Sequence, residues 1–526
     1  MRTQSSAPCR RFCRPSFGLA LALASSFSLA ACGVDDSGAD TSVLERATGA
    51  LSSGQSYLVS FPGGSIPSNA ADIIAAGHGT IAARYDNVGL VLARGDSGFV
   101  TTLRADARVD AVGLARVVSS VLAPKHPKGP AAPRTNKAKG PDPLSNRQWD
   151  MDQIHAPQAR AISGGKSSVL VGVLDSGIDQ THPDLAGQVN AAASASCIGG
   201  IVDTNPAVWS NDIIGHGTHV AGTIAGAKNG VGIVGVAPGV KLAAVKLAVD
   251  NADDPNFGLV FADAMVCALD WAIGHDFDVM NASLTIDPFT APIDDVFCSD
   301  QPDRAAIVKM VRQAVTKTNE KKIPLVASTG NFFTDLATVK GSTTGGSTKG
   351  SNCKVIPVQL PKVIGVSAVG VTKQLSWFSN YGFGAVDVAG PGGDSLIADP
   401  LVTDTTASGQ VLSSVPPNSL YYQFAADWNG QVQDCSSGTC STYAYLQGTS
   451  QAAPHVTGVA ALAISRFGRM SPDALLALLS LTATPLRCPA SPYDPGATGQ
   501  PATCKGPALY NNFYGAGEID ALAVSR

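Results

Sequence analysis

Residues 168–177 read "SVLVGVLDSG", an apolar run of strand length that stops at Asp175 and turns at Ser176-Gly177. A run that is apolar throughout, instead of alternating, indicates a strand buried on both faces, and such strands belong to parallel sheets covered by helices. The same pattern returns in "KLAAVKL" (241–247), "DVMNASL" (278–284), "IPLVAST" (323–329) and "KVIGVSAVG" (362–370). Helical stretches separate these runs: "HVAGTIAGA" (219–227), "FADAMVCALDWAIG" (261–274) and "RAAIVKMVRQAVTKTNE" (304–320). The expected fold is therefore α/β, a doubly wound and mainly parallel sheet, in which ligands sit at the carboxyl ends of the strands.

Upstream of this pattern the chain changes character several times. Arg2, Arg10, Arg11 and Arg14 precede "FGLALALASSFSLAA" (17–31), which is too short to span a membrane comfortably and has the layout of a secretory signal over residues 1–31. It ends in Leu29-Ala30-Ala31-Cys32, which resembles a bacterial lipobox and implies lipidation of Cys32 and a membrane anchor; an ordinary signal peptide cut near "SLAA" is the alternative. Export is expected either way, to the cell envelope or the medium. Residues 32–54 are small, polar and acidic and read as a flexible tether. Residues 55–122 run strand, helix, two paired strands, helix and a closing strand "ARVVSSVL", the order of a small α+β split βαβ module. Residues 123–143 are rich in Pro, Lys and Gly and read as an exposed linker, leaving residues 144–526 for the main domain.

A net charge of −4 with 15% charged residues gives no electrostatic footprint for nucleic acid, which drops out as a partner. Of the 11 cysteines, Cys9 and Cys13 leave with the signal and Cys32 would carry lipid, so an even set of eight remains in an exported chain and favours disulfides. Cys435 with Cys440 and Cys488 with Cys504 are the cheapest local pairings, while Cys267, inside a helical apolar pattern, reads equally as a buried free thiol.

Three polar residues stand at strand ends or helix starts. Asp175 closes its apolar run, His216 opens "HGTHVAGTIAG", and Ser450 lies at the head of "GTSQAAPHVTGVAALAIS". Each alone has a plain structural reading as a turn, a cap or an N-cap serine. Together they match a chemical need: a serine hydroxyl becomes nucleophilic when a neutral imidazole takes its proton, and the imidazole must be held by a carboxylate on its far nitrogen. The tetrapeptide "GHGT" occurs twice, at 77–80 and 215–218. The first copy falls where a helix of the small module hands over to a strand, which makes His78 a turn residue.

"VLDSGID", "GHGTHVAGTIAG" and "GTSQAAPHVTGVAAL", in this order, resemble the three signature segments of the subtilisin-like serine proteases, and the likeness extends through "DPLSNRQWDMDQIHAPQA" and "GAGEIDALAV". The resemblance implies a serine endopeptidase with Asp175, His216 and Ser450 as triad, acting on protein or peptide substrates and needing no cofactor for catalysis. It implies Asn331, at the end of "IPLVASTGN", as an oxyanion donor beside Gly330, and Ser283, Leu284 and Thr285 of "NASLT" as the strand that pairs with substrate. Thr285 stands where the family usually has glycine, near the entrance of the main specificity pocket. By the same likeness the 55–122 module is a propeptide, an intramolecular chaperone and inhibitor, and the protein is a self-processing zymogen. Asp184 and Asn229 fall at positions that form a structural calcium site in many relatives, with one further donor near the mature N-terminus left unplaced. His182, His219 and His455 are expected to pack. A catalytically inactive surface-binding lipoprotein on this scaffold, and a processing enzyme with a single substrate, are the competing readings.

Overall fold

The computed structural model describes residues 55–115, 118–122, 142–250, 257–285, 302–338, 354–396, 409–428, 430–496 and 501–526. The signal, the tether, Cys32, linker residues 123–141, Cys298 and Cys353 lie outside the described residues. The strands are β1 Gln55–Ser60, β2 Thr80–Tyr85, β3 Leu90–Gly95, β4 Ala111–Leu114, β5 Val118–Leu122, β6 Leu170–Asp175, β7 Ala195–Ser196, β8 Lys241–Lys246, β9 Val249–Asp250, β10 Phe257–Phe261, β11 Val279–Ala282, β12 Leu325–Ser328, β13 Ile364–Val369, β14 Val388–Pro391, β15 Val411–Ser414, β16 Gln431–Asp434 and β17 Ser441–Leu446.

The first module is an antiparallel sheet in the order β2-β3-β1-β4, with helices Ala70–Ala76 and Phe99–Arg104 packed on a core of Tyr57, Val59, Phe61, Ile73, Phe99 and Val112. It departs from the expected order in one respect. The closing strand is β4, which pairs with β1 through Tyr57↔Leu114, and not "ARVVSSVL". Once β1 has partners on both sides, β5 leaves this sheet and pairs antiparallel with β10 of the main domain, from Val118↔Phe261 to Leu122↔Phe257. His78 of the first "GHGT" is an exposed turn residue with φ +60°.

The main domain is built on a seven-stranded sheet in the order β14-β13-β12-β11-β6-β8-β7, whose pairings are all parallel. Both faces are covered, as the apolar runs require. Helices His216–Ala225 and Thr449–Phe467 pack on one face over Val171, Val173 and Leu242; helices Ala262–Gly274 and Pro302–Glu320 pack on the other over Leu174, Met280 and Leu325. The strand order turns back at β6, with β8 on one side and β11 on the other. The carboxyl ends of β6 and β11 therefore flank the crevice where an open α/β sheet places its ligand. A third small sheet, β15-β17-β16, lies against the His216 helix, where the Ser413 hydroxyl donates to His219 O at 2.7 Å.

Three disulfides occur among the described residues: Cys197–Cys267, Cys435–Cys440 and Cys488–Cys504. Cys267 is thus not a free thiol; the turn after β7 brings Cys197 to the buried face of its helix. Among the described residues no helix is long and apolar enough to cross a membrane.

Candidate active site

The end of β6 carries Asp175 into a fully buried position, where its Oδ1 accepts from His216 Nδ1 at 2.7 Å and from the Ser176 N–H at 2.7 Å. His216 is the first residue of its helix, so the imidazole sits at the end of a rigid element. Gly217 has no room for a side chain: a Cβ there would lie 2.1 Å from Gly177 O and 3.1 Å from Asp175 Cβ. This close approach is what lets the carboxylate reach the ring.

Asp212, which sequence reasoning did not single out, joins the two turns. Its carboxylate accepts from Ser176 Oγ (2.7 Å), Gly215 N–H (2.8 Å), Thr218 N–H (2.9 Å) and Thr218 Oγ1 (2.6 Å), while Ser176 Oγ in turn accepts from the Gly217 N–H (2.9 Å). Burial pushes the Asp212 carboxyl up, and these hydrogen bonds oppose it. The signal was its place four residues before His216, in a segment otherwise read only for the histidine.

Ser450 is the second residue of the buried helix Thr449–Phe467, in the first turn where backbone N–H groups point outward. Two exchanged hydrogen bonds hold it to the end of β11: Ser450 Oγ donates to Ser283 O (3.0 Å) and Ser283 Oγ donates to Ser450 O (2.7 Å). Behind them Asn281 Nδ2 donates to Ser283 Oγ (2.9 Å) and Thr457 Oγ1 donates to Asn281 Oδ1 (2.8 Å). His216 Nε2 makes no hydrogen bond, so in this form the hydroxyl is turned to the Ser283 carbonyl and not to the imidazole.

Asn331 follows β12 and is pinned by the residue before the serine: its Oδ1 accepts from Thr449 N–H (2.8 Å) and Thr449 Oγ1 (2.9 Å), and the Gly330 N–H donates to Thr449 Oγ1 (3.0 Å). A Cβ built on Gly448 would lie 2.8 Å from Gln451 Oε1, 3.4 Å from Asn331 Nδ2 and 3.6 Å from Ser450 N, so the Asn331 amide lies beside the backbone that leads into Ser450. Ser283, Leu284 and Thr285 are all buried at the end of β11.

Of the expected cation site, the structure brings together a different pair. Burial pushes the Asp184 carboxyl up to about 7, with Ile233 N–H, Tyr443 and Ser414 hydrogen bonds opposing it and Asp142 adding to it. Asp184 Oδ1 and Asp142 Oδ2 are buried acceptors without a hydrogen-bond partner, which fits a hard cation between two carboxylates. Asn229 does not fit as it stands: its Oδ1 accepts from its own neighbour's Val231 N–H (2.9 Å) and its Nδ2 donates to Pro183 O (3.0 Å). Asp142, near the domain start, is the second of these carboxylates and was not singled out in the sequence. The three other motif histidines are buried and bonded to structure: His182 to Thr442 O, His219 to Ala444 O, and His455 to Gln451 O and Asp150. Burial pushes the His219 imidazole down to about 3.

Comparison with known proteins agrees with this architecture. The model of the subtilase family matches residues 166–517. The chain belongs to the subtilase family. It is 32% identical over 345 residues to fervidolysin of Fervidobacterium pennivorans, covering 65% of this chain and 41% of fervidolysin. It is 30% identical over 318 residues to subtilisin NAT of Bacillus subtilis subsp. natto, covering 60% of this chain and 61% of that one. The chain thus spans less than two thirds of the length of these two relatives. Among solved structures, the epidermin leader peptide processing serine protease (EpiP) of Staphylococcus aureus shares the fold with a TM-score of 0.64 at 18% identity, over 90% of this chain and 98% of that one.

Proposed function

We propose that this subtilase is an exported serine endopeptidase made as a self-processing zymogen. The observation that carries the reading is the buried, hydrogen-bonded Asp175–His216 pair, together with Ser450 in the first turn of a buried helix and Asn331 hydrogen-bonded to the residue before it. Ser450 Oγ attacks the scissile carbonyl as His216 Nε2 takes its proton, and Asp175 stays ionised to hold the imidazolium. The oxyanion is received by the Ser450 N–H and Asn331 Nδ2. His216 returns the proton to the departing amine, and a water molecule repeats the sequence on the acyl-enzyme. A calcium ion between Asp142 and Asp184 would brace the loop beside the domain start and takes no part in these steps. Cys32 carries the proposed lipid anchor.

The zymogen part is supported by β5. An antiparallel strand added to β10 is how a substrate backbone would bind. A Cβ on Gly258 would lie 2.8 Å from Ile214 Cδ1, two residues before His216, so the Gly258 end of β10 is the triad end. Val121 and Leu122 stand opposite Gly258 and Phe257. The carboxyl end of β5 therefore points toward the catalytic residues, and the first cut falls on the carboxyl side of Leu122. The 55–122 module docks through Tyr85 OH to Gly200 O (2.6 Å), the Asn87 N–H to Asp270 (2.8 Å) and Gln313 Nε2 to Val88 O (2.8 Å), contacts suited to an inhibitor that stays bound after cleavage.

Expression in a host lacking other exported proteases tests both parts. The processed parent should be labelled at Ser450 by a fluorophosphonate and begin after Leu122, while Ser450→Ala should accumulate as a precursor that keeps residues 55–122. A folded, processed parent that resists labelling would instead be an inert surface-binding subtilase. Trimming of Ser450→Ala at the parent's position would assign maturation to another enzyme.

A further inference from the structure

The hydrogen bond that His216 Nδ1 donates to Asp175 Oδ1 restrains the imidazole at one corner. Beyond its covalent tether at Cγ and this hydrogen bond, the tilt of the ring is set by what packs on it, and proton transfer needs Nε2 held in place. On the far side stands Tyr421, fully buried, its ring at 85° to the imidazole with centroids 5.6 Å apart. Tyr421 belongs to the short helix Leu420–Phe424, in the stretch between β15 and β16. That helix is spliced onto the loop leading into His216: the Leu420 N–H donates to Ile213 O (2.9 Å) and the Tyr421 N–H to Ile214 O (3.0 Å). The splice is close. Gly215 has φ +89°, and a Cβ on it would lie 2.5 Å from Ser419 Oγ, so only glycine fits between the helix and the histidine. The helix is anchored in its turn, by Gln431 Nε2 to Tyr422 O (2.7 Å) and, just before it, by the Val415 N–H to Thr442 O (3.0 Å) on β17.

We infer that Leu420–Phe424 is a clamp on the catalytic histidine and that Tyr421 is a positioning residue, its ring fixing the plane of the His216 imidazole. This rests on the endopeptidase reading. The same clamp touches the substrate side, because Ile214, whose carbonyl it binds, packs against Gly258 of the strand that pairs with β5. The ring acts by shape: edge-to-face aromatic pairs hold a defined angle, and a flexible aliphatic side chain in the same volume does not. Slack of about 1 Å at the base costs up to about a hundredfold in turnover. The link to β10 runs through the backbone hydrogen bonds of Leu420 and Tyr421 to Ile213 and Ile214, which a change of the Tyr421 ring leaves in place, so the effect of that change falls on kcat.

Processed parent, Tyr421→Phe, Tyr421→Leu and Tyr421→Ala are compared on one peptide substrate, with active sites titrated by fluorophosphonate and folding checked by thermal unfolding. The expected result is a kcat lower by about 10- to 100-fold in the Ala and Leu forms, with KM within about twofold of the parent, and recovery of most of that loss in Tyr421→Phe. The Leu form answers for the Ala form should the latter fail to fold. If the Leu form turns over like an active parent, or if its loss lies in KM, or if Phe recovers nothing, the clamp is wrong. A parent that neither cleaves nor labels refutes the endopeptidase reading itself, and the clamp with it.

Discussion

The buried Asp184 carboxyl is expected to make the stability of this protein depend on pH and on calcium. Burial raises it from 3.8 to about 7, and at about 1.4 kcal/mol per tenfold change in proton affinity, holding it ionised in the fold costs about 4 kcal/mol. A raised carboxyl contributes stability that is fully present below the unfolded value and is lost as pH rises through the folded one. In the absence of a cation, this group should therefore lower the unfolding free energy by up to about 4 kcal/mol between about pH 4 and pH 8. A calcium ion bound between Asp184 and Asp142 recovers that loss, and it competes with the proton below about pH 7. The assay is thermal unfolding of the Ser450→Ala protein, which cannot digest itself, at about pH 5 and pH 8, in chelator and in millimolar calcium. Calcium should raise the midpoint clearly at the higher pH and little at the lower, and Asp184→Asn should abolish the calcium response and narrow the difference between the two pH values, which the other raised carboxyls Asp212, Asp387 and Glu518 also feed. Equal calcium stabilisation at both, or a full response in Asp184→Asn, would refute the reasoning.

Asn331→Ala should lower kcat by about 10²- to 10³-fold with KM little changed, as loss of one oxyanion donor does, measured by steady-state hydrolysis of a chromogenic peptide. Thr285→Gly should raise relative turnover of substrates with aromatic residues before the scissile bond, since it removes a branched, buried side chain just beyond β11; an unchanged preference in peptide-library profiling would take Thr285 out of the pocket wall. Asp270→Ala should loosen the 55–122 module, because its carboxylate accepts from the Asn87 N–H (2.8 Å) and the Val88 N–H (3.2 Å). A loss of about 2 kcal/mol for these charge-assisted bonds corresponds to roughly thirtyfold faster release, read as free module in gel filtration of processed protein.

Much of this was legible in the chain because it is local. A strand buried on both faces must be apolar throughout, so "SVLVGVLDSG" and its repeats already imply a covered parallel sheet, and the residue that ends such a run stands where ligands bind. The three motifs around Asp175, His216 and Ser450 carry their own turn and helix chemistry within a few residues, and the second "GHGT" is distinguished from the first by the helical "HVAGTIAG" that continues it. Pairings across long separations carry no such local signal. Cys197 and Cys267 are separated by 70 residues and meet because the turn after β7 and a helix share one face of the sheet. Asp212 reads as one acidic residue in a loop until the fold wraps two turns around it.

The identity of the closing strand was likewise decided by the fold. "DAVG" is too short to outrank "RVVSSVL" on pattern, yet β4 takes the one remaining edge of β1, and β5 pairs with β10 instead. Tyr421 lies far along the chain from His216, in a segment with no motif at all. Its ring meets the imidazole because β15 and β17 carry the intervening stretch across the face of the histidine helix. The apolar period and the turn residues of this sequence determined the sheet, its helices and the catalytic chemistry at the strand ends. Which strand pairs with β10, which buried carboxylates lie near Asp184 and which ring packs on His216 were decided only when distant segments competed for the same hydrogen-bonding edges and the same buried volume.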